Sequence, residues 1–325
     1  MENMFKKIIM LGLFAHVLLA HAADNEGVNP VVRDDQEANP PVVRDDQAAR
    51  PPVVRNVHAA SPTYTRTSAP RLQSAVAMIY DEQDQRPIYS KNAAHIVPIA
   101  SITKLMTAMV ILDAKLPMDE PISISAEDRD HLKGTKSRMR NGMTVTRDEL
   151  MKLALMASEN RAAAALARTY PGGTPVLLAM MNAKARELGM DSTQFFDPTG
   201  LSSTNVSTAQ DLVKMVMAAQ SYSDIQRYTT SHSHIVQVDG RRSLRFSNTN
   251  PLVRNSNWEI GLSKTGYISE AGRCLVMQAK ITNRPVVIVL LDSWGKRTRV
   301  GDAVRIKNWM ENTVARPIRH VSQRR

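Results

Sequence analysis

The pattern of apolar and polar residues divides the chain into three stretches, and the first of them is short and apolar. Residues 8–20 are apolar except for His16, and the run is too short to span a bilayer comfortably. Lys6 and Lys7 precede the run, and Ala20-His21-Ala22 has the small-x-small form of a cleavage site. The pattern predicts a signal peptide over residues 1–22 and an exported mature protein. An uncleaved amphipathic anchor is the alternative.

The second stretch is polar, rich in proline and repetitive. The sequence Val31-Val32-Arg33-Asp34-Asp35-Gln36 returns 11 residues later, and a degenerate third copy begins at Val53. A proline, which breaks helices, precedes each copy, and only valine supplies apolar core atoms. This composition cannot bury enough apolar surface to offset the entropy of the chain. We therefore predict a disordered tether over residues 23–70, for which docking to a partner is an unsupported alternative.

The third stretch, residues 71–315, carries strand and helix patterns and is predicted to be one folded domain. A strand is expected over residues 74–80, and a second begins at Pro87. Helices are expected over residues 102–112, after the capping pair Thr146 and Glu149, over residues 162–167, and over residues 209–219 after the pair Ser207 and Gln210. Three strands follow, over residues 258–266, 274–281 and 285–291, and then a last helix over residues 300–313. This order predicts a mixed α/β fold with one sheet built from both ends of the domain.

Charge and cysteine content narrow the classes of partner. The net charge is +11, and residues 71–325 carry +12 because residues 1–22 sum to +1 and residues 23–70 to −2. Four arginines lie in the last ten residues, which we predict to be a basic tail over residues 316–325. A basic exported domain is expected to attract an anionic wall polymer or a lipid surface. The alternative is that the positive charge serves only solubility. No nucleic-acid motif is present in the sequence. The single cysteine, Cys274, excludes an intrachain disulfide and a Cys-rich zinc scaffold.

The first motif that suggests chemistry is Ser101-Ile102-Thr103-Lys104, which has the form S-x-x-K and opens an apolar helix. Residues three apart share a helix face, so the Lys104 amine is expected to reach the Ser101 hydroxyl. A neutral amine can accept the serine proton, and burial and nearby positive charge favour that neutral form. The helix N-terminus would stabilise negative charge that develops near Ser101.

Two further motifs supply groups that a serine nucleophile needs. Ser158-Glu159-Asn160 lies between two predicted helices, where the Ser158 hydroxyl can relay a proton and the Asn160 amide can bind substrate and lysine. Lys264-Thr265-Gly266 ends a predicted strand. Its lysine and hydroxyl suit a substrate carboxylate, and Gly266 lets a substrate backbone approach the strand edge.

Each motif alone is weak, because an ordinary capping or surface serine produces the same match. Ser293 opens a second S-x-x-K, and Ser90-Lys91-Asn92 and Ser203-Thr204-Asn205 are further S-x-N matches. The order and context of the set are more specific: Ser101 begins a buried helix, Ser158 lies between helices, and Lys264 stands near a strand end. This ordered set is the motif group of serine β-lactamases and penicillin-binding proteins.

The residues around the motifs resemble the low-molecular-mass penicillin-binding proteins, and specifically their D-alanyl-D-alanine endopeptidase type. The likeness runs from about residue 74 to about residue 310. It includes residues 98–107, residues 155–163, Asp197-Pro198-Thr199-Gly200-Leu201 and Ser263-Lys264-Thr265-Gly266. The S-E-N form of the second motif is what resembles the endopeptidase type. The resemblance makes residues 71–315 the catalytic domain and implies a five-stranded antiparallel sheet flanked by helices, plus a mostly helical region.

The resemblance also implies roles for the motif residues. Ser101 would form an acyl-enzyme, with Lys104 as the general base and Ser158 as the proton relay. Asn160, Lys264, Thr265 and Gly266 would bind substrate, and the backbone N–H groups of Ser101 and Tyr267 would form the oxyanion hole.

Partners and location are implied in the same way. The expected substrate is the D-alanyl–diaminopimelate crosslink between peptidoglycan peptide stems, in the periplasm, and β-lactam antibiotics are expected to acylate Ser101. Neither a metal nor an organic cofactor is expected. Related carboxypeptidases often have a second β-rich domain and an amphipathic C-terminal anchor, whereas about ten residues follow the last predicted helix here. Membrane association is therefore expected to be loose at most.

Three other functions compete with the endopeptidase. A class A β-lactamase needs a glutamate in an E-x-x-x-N setting, whereas Glu187 and Glu259, the glutamates between Asn160 and Lys264, precede Asp191 and Ser263 by four residues. A carboxypeptidase that removes only terminal D-alanine has the same motifs and stays open. A non-catalytic wall-binding protein would have no reason to keep Ser101, Lys104 and Lys264.

The remaining chemistry-bearing residues are expected to be structural. His232 and His234 have no third metal ligand nearby and are expected to alternate on an exposed strand. Asp128 and Asp130 are expected in a solvated loop. Cys274 lies among apolar residues and is expected to be a buried, inert thiol.

Overall fold

We describe residues 69–239 and 242–314 of a computed structural model of the chain. The predicted signal peptide at residues 1–22, nearly all of the predicted tether at residues 23–70 and the predicted basic tail at residues 316–325 lie outside the described residues. Those three assignments stay predictions.

The described residues contain eleven strands and seven α-helices. The strands are β1 (Val76–Asp81), β2 (Arg86–Lys91), β3 (Val97–Pro98), β4 (Pro121–Ser123), β5 (Thr144–Thr146), β6 (Val206–Ser207), β7 (Ser233–Asp239), β8 (Arg242–Ser247), β9 (Glu259–Ile268), β10 (Gly272–Ile281) and β11 (Arg284–Ser293). The helices are α1 (Lys104–Asp113), α2 (Arg147–Met156), α3 (Asn160–Arg168), α4 (Gly173–Glu187), α5 (Ala209–Ala219), α6 (Ser223–Thr229) and α7 (Thr298–Val314). Short 3₁₀ turns cover Ala100–Thr103, Ala126–Asp128 and Pro251–Arg254.

The main sheet has five strands in the order β2-β1-β11-β10-β9, and each neighbouring pair is antiparallel. Two of its strands come from the start of the described domain and three from its end, and they meet where Ile79 of β1 lies opposite Ile288 of β11. The predicted mixed α/β fold, with a five-stranded antiparallel sheet built from both ends of the domain, is confirmed.

Both faces of the sheet are covered by helices. Successive side chains of a strand point to opposite faces, so each strand contributes to the core on both sides. Along β11 the side chains alternate between two buried clusters, with Val287, Val289 and Leu291 in one and Val286, Ile288 and Leu290 in the other. The second cluster contains Ala303, Ile306 and Met310 of α7, and the first contains residues of α1 and α5. Each fully buried aliphatic side chain stabilises the fold by about 1.5–3 kcal/mol.

Helix α1 lies in the middle of the helical region, and eight of its ten residues are buried. The apolar run that predicts a helix over residues 102–112 is therefore a core helix, preceded by the turn Ala100–Thr103. A helix that is apolar on all sides is buried on all sides. Lys104, at its first residue, is consequently carried into the core and is only 1% exposed.

One predicted helix cap is confirmed and the other is wrong. Thr146 Oγ1 accepts the N–H of Glu149 at 3.2 Å, and Glu149 Oε2 accepts the N–H of Thr146 at 3.4 Å. At α5 the cap is Thr208, whose Oγ1 accepts the N–H of Asp211 at 3.1 Å, rather than Ser207. Ser207 is instead the last residue of β6, where its buried hydroxyl bonds to the Thr193 hydroxyl at 2.7 Å.

The expectation of a solvated loop is wrong for Asp128. Its carboxylate is 2% exposed and accepts hydrogen bonds from Arg168 Nε at 2.9 Å and Arg168 Nη2 at 3.0 Å. Asp130 lies in a partly exposed turn, where its carboxylate accepts N–H groups that include those of Leu132 and Thr135, at 2.8 Å each. The ion pair that buries Asp128 joins residues 40 apart in sequence, which no local pattern reveals.

The histidines and the cysteine have structural surroundings. His232 directly precedes β7, and His234 within β7 is half-buried, with Nε2 3.4 Å from Glu149 Oε1. Among the residues that the structure describes, no group of three or more His, Cys, Asp or Glu side chains is placed to hold a metal ion. Cys274 is fully buried, as expected, and burial raises the pKa of its thiol to about 11.

Candidate active site

The three motifs meet where the edge strand β9 passes the turn that begins α1. A Cβ atom added to Gly266 of β9 would lie 3.0 Å from Ser101 N and from Ile99 O. A Cβ atom added to Gly200 would lie 2.0 Å from Ala100 O, and Gly200 has a positive φ of 79°. Glycine at both positions therefore lets β9 and the Asp197–Gly200 turn pack against the backbone of Ser101.

Strained backbone flanks two of the predicted catalytic hydroxyls. Ala100, directly before Ser101, has φ 47°, and Ser158 itself has φ 59°. Neither residue is a glycine, and L-residues other than glycine rarely adopt this left-handed region. Such strain costs about 1–3 kcal/mol per residue and persists only where the surrounding structure enforces it. Here the enforced backbone conformation of Ala100 and Ser158 sets the directions in which the Ser101 and Ser158 side chains point.

Lys104 connects the first two motifs. Its Nζ lies 3.0 Å from Ser101 Oγ, 2.8 Å from Asn160 Oδ1 and 2.6 Å from the carbonyl oxygen of Thr199. A neutral amine has two N–H donors and one lone pair. Asn160 and Thr199 offer only oxygen acceptors in these contacts, so they take both donors and leave the lone pair facing the Ser101 hydroxyl.

Burial tunes the proton affinity of Lys104. Desolvation lowers its pKa to about 8, although the negative charges of Asp197, Glu159 and Asp130 act in the opposite direction. At pH 8 about half of the amine is then neutral. Lys104 can therefore act as a base near neutral pH, which an exposed lysine cannot do.

The Thr199 carbonyl is held in place by the turn that precedes it. Asp197 Oδ1 accepts the N–H of Thr199 at 2.7 Å and the N–H of Gly200 at 2.9 Å. Asn205 Nδ2 donates to the Asp197 carbonyl at 2.7 Å and to Thr103 Oγ1 at 3.0 Å. The residues Asp197–Leu201 thus act as a brace that fixes one acceptor of the Lys104 amine.

The second and third motifs touch through Lys264. Its Nζ donates to Ser158 Oγ and to the Thr265 carbonyl, each at 2.9 Å. Burial, and then the positive charges of Lys104 and Arg299, lower the pKa of Lys264 well below its usual value. The structure therefore places two buried amines and two serine hydroxyls in one cleft.

The cleft has two walls: the sheet wall is β9, and the helical wall is formed by the starts of α1 and α3. Hydroxyl groups also make contacts between these walls. Thr265 Oγ1 donates to Thr249 Oγ1 at 2.7 Å, and Thr249 Oγ1 lies 3.4 Å from the carbonyl oxygen of Met156, two residues before Ser158. On the opposite side Asn160 Nδ2 donates to Thr135 Oγ1 at 3.0 Å. Thr249 and Thr135 did not emerge from the sequence, because neither stands in a motif.

Tyr267 extends β9 beyond the K-T-G motif, and the residue is 55% exposed. The Arg273 guanidinium stacks on that ring at 4.4 Å from the centroid. Beside it, Lys133 of the helical region pairs with Glu270 of the turn between β9 and β10. All eight residues that the sequence nominates are thus brought to one cleft, and whether the Tyr267 N–H binds an oxyanion stays a prediction.

Arg299 is a charged group of the site that the sequence did not indicate. It lies on α7, and its Nη1 donates to the Gly266 carbonyl at 2.8 Å and to the Cys274 carbonyl at 3.2 Å. Burial, followed by repulsion from Arg273, lowers its pKa to about 10, so it stays cationic at neutral pH. It adds positive charge behind the K-T-G motif, where a carboxylate is expected to bind.

Comparison with known proteins agrees with this geometry. The model of the D-alanyl-D-alanine carboxypeptidase family matches residues 63–295. A D-alanyl-D-alanine endopeptidase of Escherichia coli is 45% identical over 255 residues, which cover 78% of this chain and 82% of that protein. A D-alanyl-D-alanine endopeptidase of Pseudomonas aeruginosa is 46% identical over 241 residues, which cover 74% of this chain and 78% of that protein.

A solved structure agrees as well. The DD-transpeptidase of a Streptomyces species superposes with a TM-score of 0.69 at 26% identity, and the match covers 74% of this chain and 98% of that chain. The predicted resemblance is confirmed by the family match, by the relatives and by this fold. The chain therefore belongs to the D-alanyl-D-alanine carboxypeptidase family and is a serine DD-peptidase.

Proposed function

We propose that the protein is a periplasmic DD-endopeptidase that hydrolyses D-alanyl–diaminopimelate crosslinks of peptidoglycan through an acyl-enzyme on Ser101. The observation that carries the mechanism is the environment of Lys104, whose amine lies 3.0 Å from Ser101 Oγ and has a pKa lowered to about 8. The two similar relatives from Escherichia coli and Pseudomonas aeruginosa are both D-alanyl-D-alanine endopeptidases, which supports the substrate class.

In the acylation step the Ser101 proton moves to the neutral Lys104 amine as Oγ bonds to the D-alanyl carbonyl carbon. The backbone N–H groups of Ser101 and Tyr267 would bind the oxyanion that forms, and one such donor contributes a factor of about 10²–10³ in rate. Asn160 Oδ1 and the Thr199 carbonyl accept the two N–H groups of the Lys104 amine and so keep its lone pair directed at Ser101 Oγ during this transfer.

In the next step the C–N bond of the crosslink breaks and the leaving nitrogen needs a proton. Ser158 would pass to it the proton that Lys104 took up, and Ser158 is oriented for this by the hydrogen bond from Lys264 Nζ at 2.9 Å. Water then hydrolyses the ester on Ser101, with Lys104 as the base again, so that the enzyme returns to its starting state.

The carboxylate next to the scissile bond would bind at the sheet wall. Thr265 can turn its hydroxyl from Thr249 towards that carboxylate, Lys264 Nζ can donate to it, and the cationic Arg299 supplies a positive potential there. Gly266 leaves room for the substrate backbone beside β9. β-Lactams present a similar carboxylate and an acylating carbonyl, so we expect them to label Ser101.

Carboxypeptidase activity is the second candidate, because the matching family is described by that activity. The two reactions use the same catalytic groups and differ in the leaving group, which is a crosslinking diaminopimelate or a free D-alanine.

Mass spectrometry of purified muropeptide dimers incubated with the mature protein separates the two, with Ser101→Ala as the control. Conversion of dimers to monomers by the wild type alone is the expected result. Loss of one terminal alanine from intact dimers would make the protein a carboxypeptidase.

Location follows from the predicted signal peptide and from the substrate. No helix within the described part of the chain is long and apolar enough to cross a membrane. We propose that the mature protein is periplasmic and at most loosely associated with the membrane. Fractionation of cells that express the full chain would test this, and recovery of the uncleaved chain in the membrane pellet would contradict it.

A further inference from the structure

An ion pair joins the two sides of the cleft at one of its ends. Lys133, in the loop before Thr135, pairs with Glu270, in the turn between β9 and β10. Thr135 accepts a hydrogen bond from Asn160 Nδ2 at 3.0 Å, and Glu270 follows Tyr267 by three residues. The pair of Lys133 and Glu270, which we name the cleft bridge, therefore lies close to predicted catalytic groups on both walls.

Local hydrogen bonds hold both members of the cleft bridge in place. Asp130 Oδ1 accepts the backbone N–H of Lys133 at 2.9 Å, and Asp130 Oδ2 accepts the Thr135 hydroxyl at 2.7 Å. Ser269 Oγ donates to Glu270 Oε2 at 2.7 Å, while Glu270 Oε1 accepts from Lys133 Nζ. The hydrogen bond from Lys133, followed by that from Ser269, lowers the pKa of Glu270 to about 2. The cleft bridge thus offers one ammonium and one carboxylate from well-positioned backbone.

The cleft bridge can exchange its partners at little cost. The side chains of Lys133 and Glu270 are 29% and 41% exposed. Ion pairs this exposed contribute little to stability, because water solvates the separated charges almost as well. A ligand that carries one charge of each sign can therefore take the place of both partners, since it gives Lys133 a new anion and Glu270 a new cation.

The contacts proposed for the substrate determine which of its parts reaches the cleft bridge. The carboxylate of the leaving group is assigned to Thr265 and the scissile carbonyl to the Tyr267 N–H, so the acyl side of the substrate continues along β9 towards Glu270. Three residues of strand span at most about 10 Å between Tyr267 and Glu270. The residue before the scissile D-alanine lies about 3.8 Å further along, measured between Cα atoms, and its extended side chain can cover the rest.

We propose that the cleft bridge recognises the free end of the diaminopimelate that precedes the scissile D-alanine, with Glu270 binding its ammonium and Lys133 its carboxylate. The outer carbon of this diaminopimelate carries both groups, so the ligand end is a zwitterion. The inference rests on the proposed function for the presence of diaminopimelate in the substrate. It holds for an endopeptidase and for a carboxypeptidase, because the acyl side of the substrate is the same in both reactions.

A bridge that only ties the two sides of the cleft together would have different requirements. It would need opposite charges at positions 133 and 270, whichever of the two carried the positive charge. Recognition of a zwitterion held at a fixed place on β9 needs the positive charge at Lys133 and the negative charge at Glu270. Exchanging the two charges therefore separates recognition from a structural tie.

The test uses Lys133→Gln, Glu270→Gln and the exchanged pair Lys133→Glu/Glu270→Lys in the mature protein. The matched control is Glu259→Gln/Lys280→Gln, which removes an exposed ion pair, with atoms 3.7 Å apart, at the other end of the same two strands. Dissociation constants are measured by calorimetry in a Ser101→Ala background. The ligand is a stem peptide that ends in diaminopimelyl-D-alanyl-D-alanine.

Two further stem peptides each lack one charge of the zwitterion. In one, lysine replaces diaminopimelate and removes the side-chain carboxylate. In the other, acetylation neutralises the side-chain amine. The rate of acylation by a fluorescent penicillin, measured with Ser101 intact, reports the fold and the catalytic groups of each variant.

We expect Lys133→Gln and Glu270→Gln each to raise the dissociation constant of the diaminopimelate stem about fivefold, through loss of a charge-assisted hydrogen bond. Lys133→Gln should leave binding of the lysine stem unchanged, and Glu270→Gln should leave binding of the acetylated stem unchanged. The exchanged pair should bind the diaminopimelate stem no better than the single variants. The control pair should match the parent protein, and penicillin acylation should stay within about twofold of wild type throughout.

Three results would overturn the inference. The first is an unchanged dissociation constant in both single variants. The second is an equal effect of Lys133→Gln on the diaminopimelate and lysine stems. The third is recovery of the parent affinity by the exchanged pair, which would assign Lys133 and Glu270 to a structural tie. Binding to Ser101→Ala protein needs no cleavage, so these results stay separate from a failure of the endopeptidase assignment, which would appear as intact dimers with the wild type.

Discussion

The two walls of the cleft each bury one lysine, and they surround it differently. On the helical wall Lys104 has three oxygen partners, and the negative charges of Asp197, Glu159 and Asp130 oppose the effect of burial on its pKa. On the sheet wall the positive charges of Lys104 and Arg299 act on Lys264 in the same direction as burial, and all three lower its pKa.

This difference indicates a division of labour. The helical wall keeps an amine whose pKa of about 8 lets it gain and lose a proton near neutral pH. The sheet wall collects hydrogen-bond donors and the positive charge of Arg299 for an anionic group of the substrate. Burial lowers the pKa of both lysines, so the contact that each amine makes decides its role: Lys104 Nζ lies 3.0 Å from Ser101 Oγ, whereas Lys264 Nζ donates to Ser158 Oγ.

Removal of each lysine tests that division most strongly. Lys104→Met should lower the rate of penicillin acylation by a factor of about 10²–10⁴, the usual contribution of a general base. Lys264→Met should act more through substrate binding, with KM raised by about tenfold through loss of charge-assisted contacts. Steady-state kinetics and circular dichroism of both variants provide the measurement. Equal losses in kcat for the two variants would contradict the division.

The pH dependence of acylation is the next largest effect. Lys104 is inactive as a base while protonated, so the second-order rate of penicillin acylation should rise with pH and level off above about 8. Below that pH the rise should approach about tenfold per pH unit. Stopped-flow fluorescence between pH 6 and pH 9.5 checks this. A flat profile over this range would mean that Lys104 does not supply the base.

A smaller effect is expected at Thr249, which we regard as a positioning residue for Thr265. Thr249→Val removes the hydroxyl that lies 2.7 Å from Thr265 Oγ1 and that can donate to Thr265 once Thr265 donates to the substrate carboxylate. We expect KM to rise about fivefold, the equivalent of about 1 kcal/mol, with kcat little changed. Thr249→Ser keeps the hydroxyl and should restore the wild-type KM. A serine variant as impaired as the valine variant would indicate that packing, not the hydroxyl, matters.

The smallest effect is expected at Cys274, which lies opposite Gly266 in the register of β9 and β10. Its thiol is fully buried and has a pKa raised to about 11, so little of the nucleophilic thiolate forms and thiol reagents should react slowly with it. Native protein at pH 8 should react with a chromogenic disulfide at less than about a tenth of the rate of urea-unfolded protein. Equal rates would show that the strand pair behind the sheet wall opens readily.

Local patterns predicted much of the fold and one part of the site. The pairing of Ser101 with Lys104 depends on a spacing of three residues at a helix start, which the sequence displays directly. The strands of the sheet and the Thr146 cap are likewise visible in short windows. Recognition of the family supplied the assembly of the three motifs in one cleft.

What local patterns missed depends on contacts between distant residues. Arg299 reaches Gly266 from another element 33 residues away, and Asp128 is buried by Arg168, 40 residues away. Ser207 was the wrong cap because its hydroxyl is used by Thr193 in a neighbouring segment. None of these partners has a signature in the sequence around it.

The most direct test of the central claim is to locate the acyl group on the enzyme. The mature protein is mixed with muropeptide dimers, quenched in acid within the first turnovers, and digested with trypsin. We predict that the added mass lies on the peptide of residues 92–104, and that fragmentation assigns it to Ser101 rather than Thr103. An adduct on any other peptide, or cleavage of dimers that persists in Ser101→Ala, would contradict the assignment of Ser101 as the nucleophile.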